Sequence, residues 1–386
     1  MPQRISVGLS QLPNTIDAFA EAAELARSGL DGEPDLCLAF AGGKHIGELE
    51  AALVEISARL RPKAMIGCGA AGVVGPGAEI EAGQGAVVWA AQLPGARIET
   101  FEVRGDAGGE PEVLSGLPDP ASRADAVFLL ANPYASQIEG ALAQLNEERP
   151  GTPVLGGLAS AVVEGEPGLM IDGVVSDAAA VGCLLEGVDM APCVSQGAAP
   201  VGPEMAITAA EGGVIGELAF KPALERLGEI VAGLEENERR QAASGMLLGI
   251  VVDENRPDHE RGDFLVRPIV SADRDAGTLT VGGRVRVGQT VRLHVRDGAS
   301  ADADLREALA VQVTAMGSAG AAGALMFTCN GRGRQMFGVA DHDVDAFEDA
   351  LAAPVGGFFC AGEIGPVGGR SYLHGFTATL AVFAAS

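Results

Sequence analysis

The sequence predicts an α/β protein whose sheets are mixed or antiparallel, and two observations carry that assignment. Three stretches of the 386-residue chain read as strand, polar or glycine turn, helix, short proline turn and glycine-rich strand. Elsewhere, apolar runs of strand length follow one another with no helical pattern between them. That order argues against a doubly wound parallel sheet, in which strands and helices alternate throughout.

The first copy runs from Leu36–Gly43 through a helix over His45–Leu60 to Ala64–Gly69. Its helix shows Leu49, Leu53, Ile56 and Leu60 at i, i+4, i+7 and i+11, one apolar face of a 3.6-residue period. The second copy pairs Val127–Tyr134 with a helix over Ile138–Glu148 and the strand Pro153–Leu158. The third pairs Gly323–Arg334 with a helix over Asp341–Ala352 and the strand Pro354–Phe358. Further strands are predicted at Ala86–Gln92, Arg97–Val103, Leu169–Val175, Ala179–Leu185, Met246–Val252, Phe264–Val270, Thr278–Val281 and Thr290–Val295, from short apolar runs bounded by glycine and proline. A helix over Pro222–Glu236 opens with proline in its first turn. A domain boundary is expected just before it, in Glu211–Gly216, dividing the chain into 1–216 and 217–386.

With 52 acidic and 26 basic residues, the formal charge is −26. Sequence-independent nucleic-acid binding and docking on anionic lipid are therefore excluded as expectations, because both need a basic surface. No apolar run reaches membrane-spanning length. The N-terminal residues show no signal-peptide core, so a cytoplasmic location is expected. Cys37, Cys68, Cys183, Cys193, Cys329 and Cys360 form no CxxC pair and have no histidine at zinc-ligand spacing. Neither a metal nor a cofactor is predicted.

Gly67-Cys68-Gly69-Ala70-Ala71-Gly72 matches G-x-G-x-x-G, but Val73-Val74-Gly75-Pro76 cannot open the helix that a dinucleotide fingerprint requires. It reads as a packed glycine loop. No G-x-S-x-G elbow or Walker A loop occurs. Asp341-His342-Asp343 reads as a helix start, with Asp341 or a neighbour as N-cap.

The richest chemistry lies at the end of the third copy's first strand, Phe327-Thr328-Cys329-Asn330-Gly331-Arg332-Gly333-Arg334. Arginine offers a rigid fork for carboxylate or phosphate, and the glycines let the backbone approach a ligand. Two readings of Arg332 and Arg334 stand: tied to an acidic loop of the protein, or recognising an anionic ligand together with Cys329 and Asn330. Glu363, at the polar end of the second glycine-rich strand, could accept a ligand ammonium or pair with an arginine. Arg370, Tyr372 and His374 alternate along the final strand and share one face, a solvated surface or a pocket wall. Cys329 or Cys360 would serve a hydrolase or transferase only if its thiol were activated. An adaptor binding protein partners alone is the remaining alternative.

Phe327–Gly333, Gly357–Ile364 and Leu373–Thr377 resemble the C-terminal domain of the FIST family, and Ile66–Gly72, Pro153–Gly157, Ala180–Gly182 and Gln196–Gly202 resemble its N-terminal domain. The resemblance spans nearly the whole chain. It implies two related α/β halves with their sheets packed in layers. It also implies an intracellular sensory module of signal transduction that binds a small ligand, an amino acid or small carboxylate among the candidates. This chain leaves no room for an output domain, so a separate signalling protein is the expected partner. The family name assigns no catalytic residue.

Overall fold

The computed structural model describes residues 2–105, 114–135, 137–161, 163–164, 168–243, 245–256, 258–259 and 262–385. The chain is mixed α/β and forms two compact units. One comprises Met1–Val194, Leu305–Leu373 and Ala378–Ser386; the other comprises Ser195–Asp304 and His374–Thr377.

The larger unit is built from three modules of one design. The first holds β1 (Arg4–Ser10), α1 (Thr15–Ser28), β2 (Leu36–Gly42), α2 (Leu49–Leu60), β3 (Ala64–Ala70), the hairpin β4 (Val73–Gly75) and β5 (Ala78–Ile80), and β6 (Gly85–Gln92). The second holds β7 (Arg97–Gly105), β8 (Leu114–Ser115), β9 (Ala126–Ala131), α3 (Ile138–Glu148), β10 (Val154–Leu158), the hairpin β11 (Leu169–Ile171) and β12 (Val174–Ser176), and β13 (Ala180–Glu186). The third starts with β14 (Met190–Gln196) and is then interrupted by the smaller unit.

That smaller unit consists mainly of β15 (Ala198–Glu211), β16 (Val214–Leu218), β17 (Lys221–Pro222), α4 (Ala223–Gly233), α5 (Glu236–Ala243), β18 (Met246–Val251), β19 (Phe264–Asp273), β20 (Thr278–Val281) and β21 (Thr290–Arg296). Its sheet order is β15-β21-β18-β19-β20-β16-β17, and β15 also pairs with β16, so the sheet closes on itself. Val201, Ile207, Leu248, Val291 and Leu293 fill its core with Ile230 of α4. Pro222 stands at the N-cap of α4 and not inside its first turn.

The third module resumes with α6 (Gly298–Met316), then β22 (Ala321–Cys329), α7 (Arg334–Phe337), α8 (His342–Leu351), β23 (Val355–Cys360), the hairpin β24 (Glu363–Val367) and β25 (Arg370–His374), and β26 (Thr377–Ala384). Helices α1 and α6 lie outside the sequence expectation. The buried face of α1 is largely alanine (Ala18, Ala22, Ala23, Ala26), a pattern that large-aliphatic periodicity does not reveal.

In each module two parallel strands flank a helix: β2 with β3, β9 with β10, β22 with β23. Each module's hairpin then leaves its own sheet and joins another. β4 adds to β23, β11 adds to β3, and β24 adds to β10, which closes a cycle of exchange. Backbone hydrogen bonds repeat the cycle: Gly69 N donates to Gly168 O (2.9 Å), Leu158 N to Gly362 O (2.8 Å), and Phe359 N to Gly72 O (3.0 Å). The G-x-G-x-x-G segment is part of this junction; β3 continues to Ala70 and no helix opens after it. Gly67, Gly156 and Gly357 recur at equivalent places. A Cβ there would lie 2.3, 2.0 and 1.7 Å from the carbonyl oxygens of Ala39, Leu129 and Met326, so only glycine fits.

The three inner faces form one core. Register defines a transverse row in each sheet: Val87–Phe40–Cys68–Leu169, Val181–Leu130–Gly157–Glu363 and Thr379–Phe327–Phe358–Val73. Nine of these twelve residues belong to a single apolar cluster, in which Phe40 stacks on Phe358 at 5.0 Å. The other three are Gly157, Glu363 and Thr379.

Candidate functional site

The site begins where β22 ends. The chain turns at Cys329, with Arg332 N donating to Cys329 O (2.9 Å) and Gly331 N to Cys329 Sγ (3.4 Å). Gly333 follows at φ 85°, a conformation that favours glycine. A side chain there would strike the Glu81 carboxylate, whose Oε1 accepts from Arg334 N at 2.8 Å. These constraints send the Arg332 side chain inward, where the residue is only 2% exposed.

Inside, the fork of Arg332 grips Asp343 at the start of α8. Nε donates to Oδ2 at 2.7 Å and Nη2 to Oδ1 at 2.8 Å. Asp343 also accepts from Thr328 Oγ1 at 2.9 Å and lies 3.0 Å from His342 Nδ1. The His342 ring stacks on Phe337, whose face also lies beneath the guanidinium. The fork therefore engages an acidic group of the protein, the first of the two readings open to the sequence.

Helix α8 is capped from a distant part of the chain. Glu79, on β5 of the first module's hairpin, accepts from Asp343 N (3.0 Å) and Val344 N (3.1 Å). Asp341 occupies the expected N-cap position, but at φ 59° its carboxylate accepts from Glu79 N instead of capping the helix. Electrostatics separates the two buried carboxylates. Burial raises Asp343, but the Arg332 guanidinium outweighs it and holds that carboxyl below the usual range. Burial, and then the charge of Asp343, push Glu79 up to about 8, against its two helix amides. Burial disfavours the Arg332 cation, yet Asp343 keeps it charged.

One donor of that cation is left over. Arg332 Nη1 is buried and meets no hydrogen-bond partner among the described residues. Glu363 lies close enough for its charge to act on the same guanidinium. Glu363 is wholly buried at the start of the imported strand β24, opposite Gly157. A Cβ on Gly157 would meet Cys360 Sγ at 2.4 Å, so the missing side chain makes room for that thiol. Cys329 and Cys360 are register partners at the ends of the parallel pair. Burial raises the Cys360 thiol far above its ordinary value, the opposite of what a nucleophilic thiol requires.

The structure thus gathers Cys329, Arg332 and Glu363 inside the larger unit. Asn330 and Arg334 lie exposed on the same turn. Arg370, Tyr372 and His374 share a strand but run from exposed through half-buried to buried. Asp343, Glu79 and Glu81 complete the turn and were not in the sequence-derived set. Glu79 and Glu81 lie some 250 residues from their partners, with no local signal to join them. No helix among the described residues is long and apolar enough to cross a membrane.

The larger unit is a mixed α/β fold with a charged cluster at the ends of β22 and β23. The chain belongs to the FIST family, a family of sensory domains of signal transduction: residues 35–221 match the FIST N domain and residues 223–366 the FIST C domain. It is similar to the uncharacterized protein Rv0628c of Mycobacterium tuberculosis, 41% identical over 384 residues, covering 98% of this chain and 99% of the relative. The uncharacterized protein Mb0898c of Mycobacterium bovis is also 41% identical over 384 residues, covering 98% of each chain.

Proposed function

We propose that this protein is a cytoplasmic small-ligand sensor whose ligand is an amino acid, held at the polar end of β22 and β23. The observation that carries the reading is the buried Nη1 of Arg332, a charged donor with no protein partner among the described residues. Leaving such a donor unmatched costs about 1–3 kcal/mol, more for a charged group, unless something else bonds it. A ligand carboxylate would satisfy it, and Glu363 would take the ammonium. Asn330 and Arg334 border the entrance. Arg370 and Tyr372 are assigned to the outer wall.

Helix α8 is the reporting element. Its first turn is held by Arg332 through Asp343 and by Glu79, so ligand bound to Arg332 would alter the charge balance at the helix start. The response passes to a separate signalling protein.

The test is a thermal-shift screen of amino acids and small carboxylates, followed by Arg332→Lys. A ligand at a hundred times its dissociation constant adds about 2.7 kcal/mol of stability. The lysine variant should bind more weakly, by about 1–3 kcal/mol, because a point charge cannot serve Asp343 and the ligand together. Unchanged affinity in that variant would remove Arg332 from the site.

A further inference from the structure

The three modules supply an internal control for which buried polar groups the fold itself needs. At the place where β22 meets its antiparallel neighbour, Phe327 pairs with Thr379. The equivalent partners are Val87 opposite Phe40 and Val181 opposite Leu130. Threonine has the shape of valine, so volume does not call for it. Thr379 is wholly buried, and its Oγ1 has no hydrogen-bond partner among the described residues. Two modules thus build the same core position without a hydroxyl, while the third buries one unmatched.

The imported hairpin shows the same substitution. Glu363 stands where the other hairpins present Val73 and Leu169. Two residues on, Gly365 projects in the same direction as Glu363. A Cβ on Gly365 would lie 2.8 Å from Thr379 Oγ1 and 3.0 Å from a methyl of Val194, so a side chain there would cover the hydroxyl. Strand β24 also packs against β22, which brings this wall alongside the strand that leads to Arg332. A hydroxyl and a carboxylate thus replace apolar residues in one module only, beside a buried donor with no partner.

We propose that Thr379 and Glu363 form the specificity-determining wall of the ligand site and receive a primary ammonium, each accepting one of its N–H groups. Arg332 Nη1 meets the ligand's anionic end. This deepens the sensor reading and rests on it, naming the residue that distinguishes an amine-bearing ligand from a plain carboxylic acid.

The experiment uses the full chain, with calorimetric titration of the twenty L-amino acids and, for each that binds, its amine-free carboxylic acid. Thr379→Val installs the residue of the other two modules; Thr379→Ser keeps the hydroxyl. Thr379→Val should bind at least tenfold more weakly and melt higher than the wild type without ligand, because an unmatched hydroxyl has gone. Thr379→Ser should retain affinity within about threefold, since the accepting oxygen remains. Wild-type binding with unchanged affinity in Thr379→Val would mean the hydroxyl holds a trapped water only, and would overturn this inference alone. A lower ligand-free melting point in Thr379→Val would overturn it too, by making the hydroxyl a support of the fold. Binding of none of the amino acids by the wild type would overturn both this inference and the amino-acid reading.

Discussion

Arg332 and His45 occupy the same place in two modules, three residues beyond the last register pair of their parallel strands. Both are buried. His45 answers burial by becoming a weaker base, with Nδ1 2.8 Å from Thr15 Oγ1 on α1 and the Phe19 ring edge-on at 6.1 Å. Arg332 cannot discharge, and so it brings in Asp343, Thr328, His342 and Phe337. The backbone design accepts either solution. A permanent charge is therefore not a requirement of the strand–turn–helix unit, and what the third module gains from it lies elsewhere.

The largest test of that comparison is Asp343→Ala. It strands the arginine charge in the core and should cost about 3–5 kcal/mol in urea unfolding. His45→Ala should cost less, since it breaks one neutral hydrogen bond and trims one ring. Equal losses would erase the distinction between the two turns.

A smaller effect is expected when the third module's polarity is copied into the first. Val87→Thr should destabilise by about 1–3 kcal/mol, because it buries a hydroxyl within the apolar cluster. A neutral outcome would show that the core tolerates threonine anywhere along the row, and Thr379 would lose its significance.

Acidity separates the carboxylates at α8. Glu79 binds its proton more tightly in the folded state, near 8 against an ordinary 4.5, so its contribution is complete below about 4.5 and is lost as pH rises to about 8. The slope should approach about 1.4 kcal/mol per pH unit at most, and Glu79→Gln should flatten it. Asp343 acts in the other direction: held below 3.8, it stabilises above that pH and loses the contribution as pH falls. Melting curves from pH 4 to 9 on the wild type and Glu79→Gln check the sign for Glu79. The smallest effect belongs to Asn330→Ala, whose exposed side chain should leave stability within about 0.5 kcal/mol while lowering ligand affinity.

Apolar spacing was enough to place α2, α3 and α4 through their leucines and isoleucines, and α8 through Val344, Phe347 and Leu351. It missed α1, whose buried face is mostly alanine, and α6, which follows a run of strands. The turn at Arg332 was legible because arginine between glycines is a local pattern. Its ion pair was open to two readings, because Asp343 looks like an ordinary acidic residue of a helix start.

The chain's own chemistry determined the strand–helix–strand repeat, since apolar spacing, glycine and proline act within a few residues. It also determined that Gly67, Gly156 and Gly357 recur, one per module. Only the tertiary structure decided which hairpin joins which sheet, that Glu79 caps α8, and that Thr379 and Glu363 interrupt an otherwise apolar core. Those choices follow from pairings between strands far apart in the chain, where register and burial set a side chain's neighbours and local sequence carries no record of them.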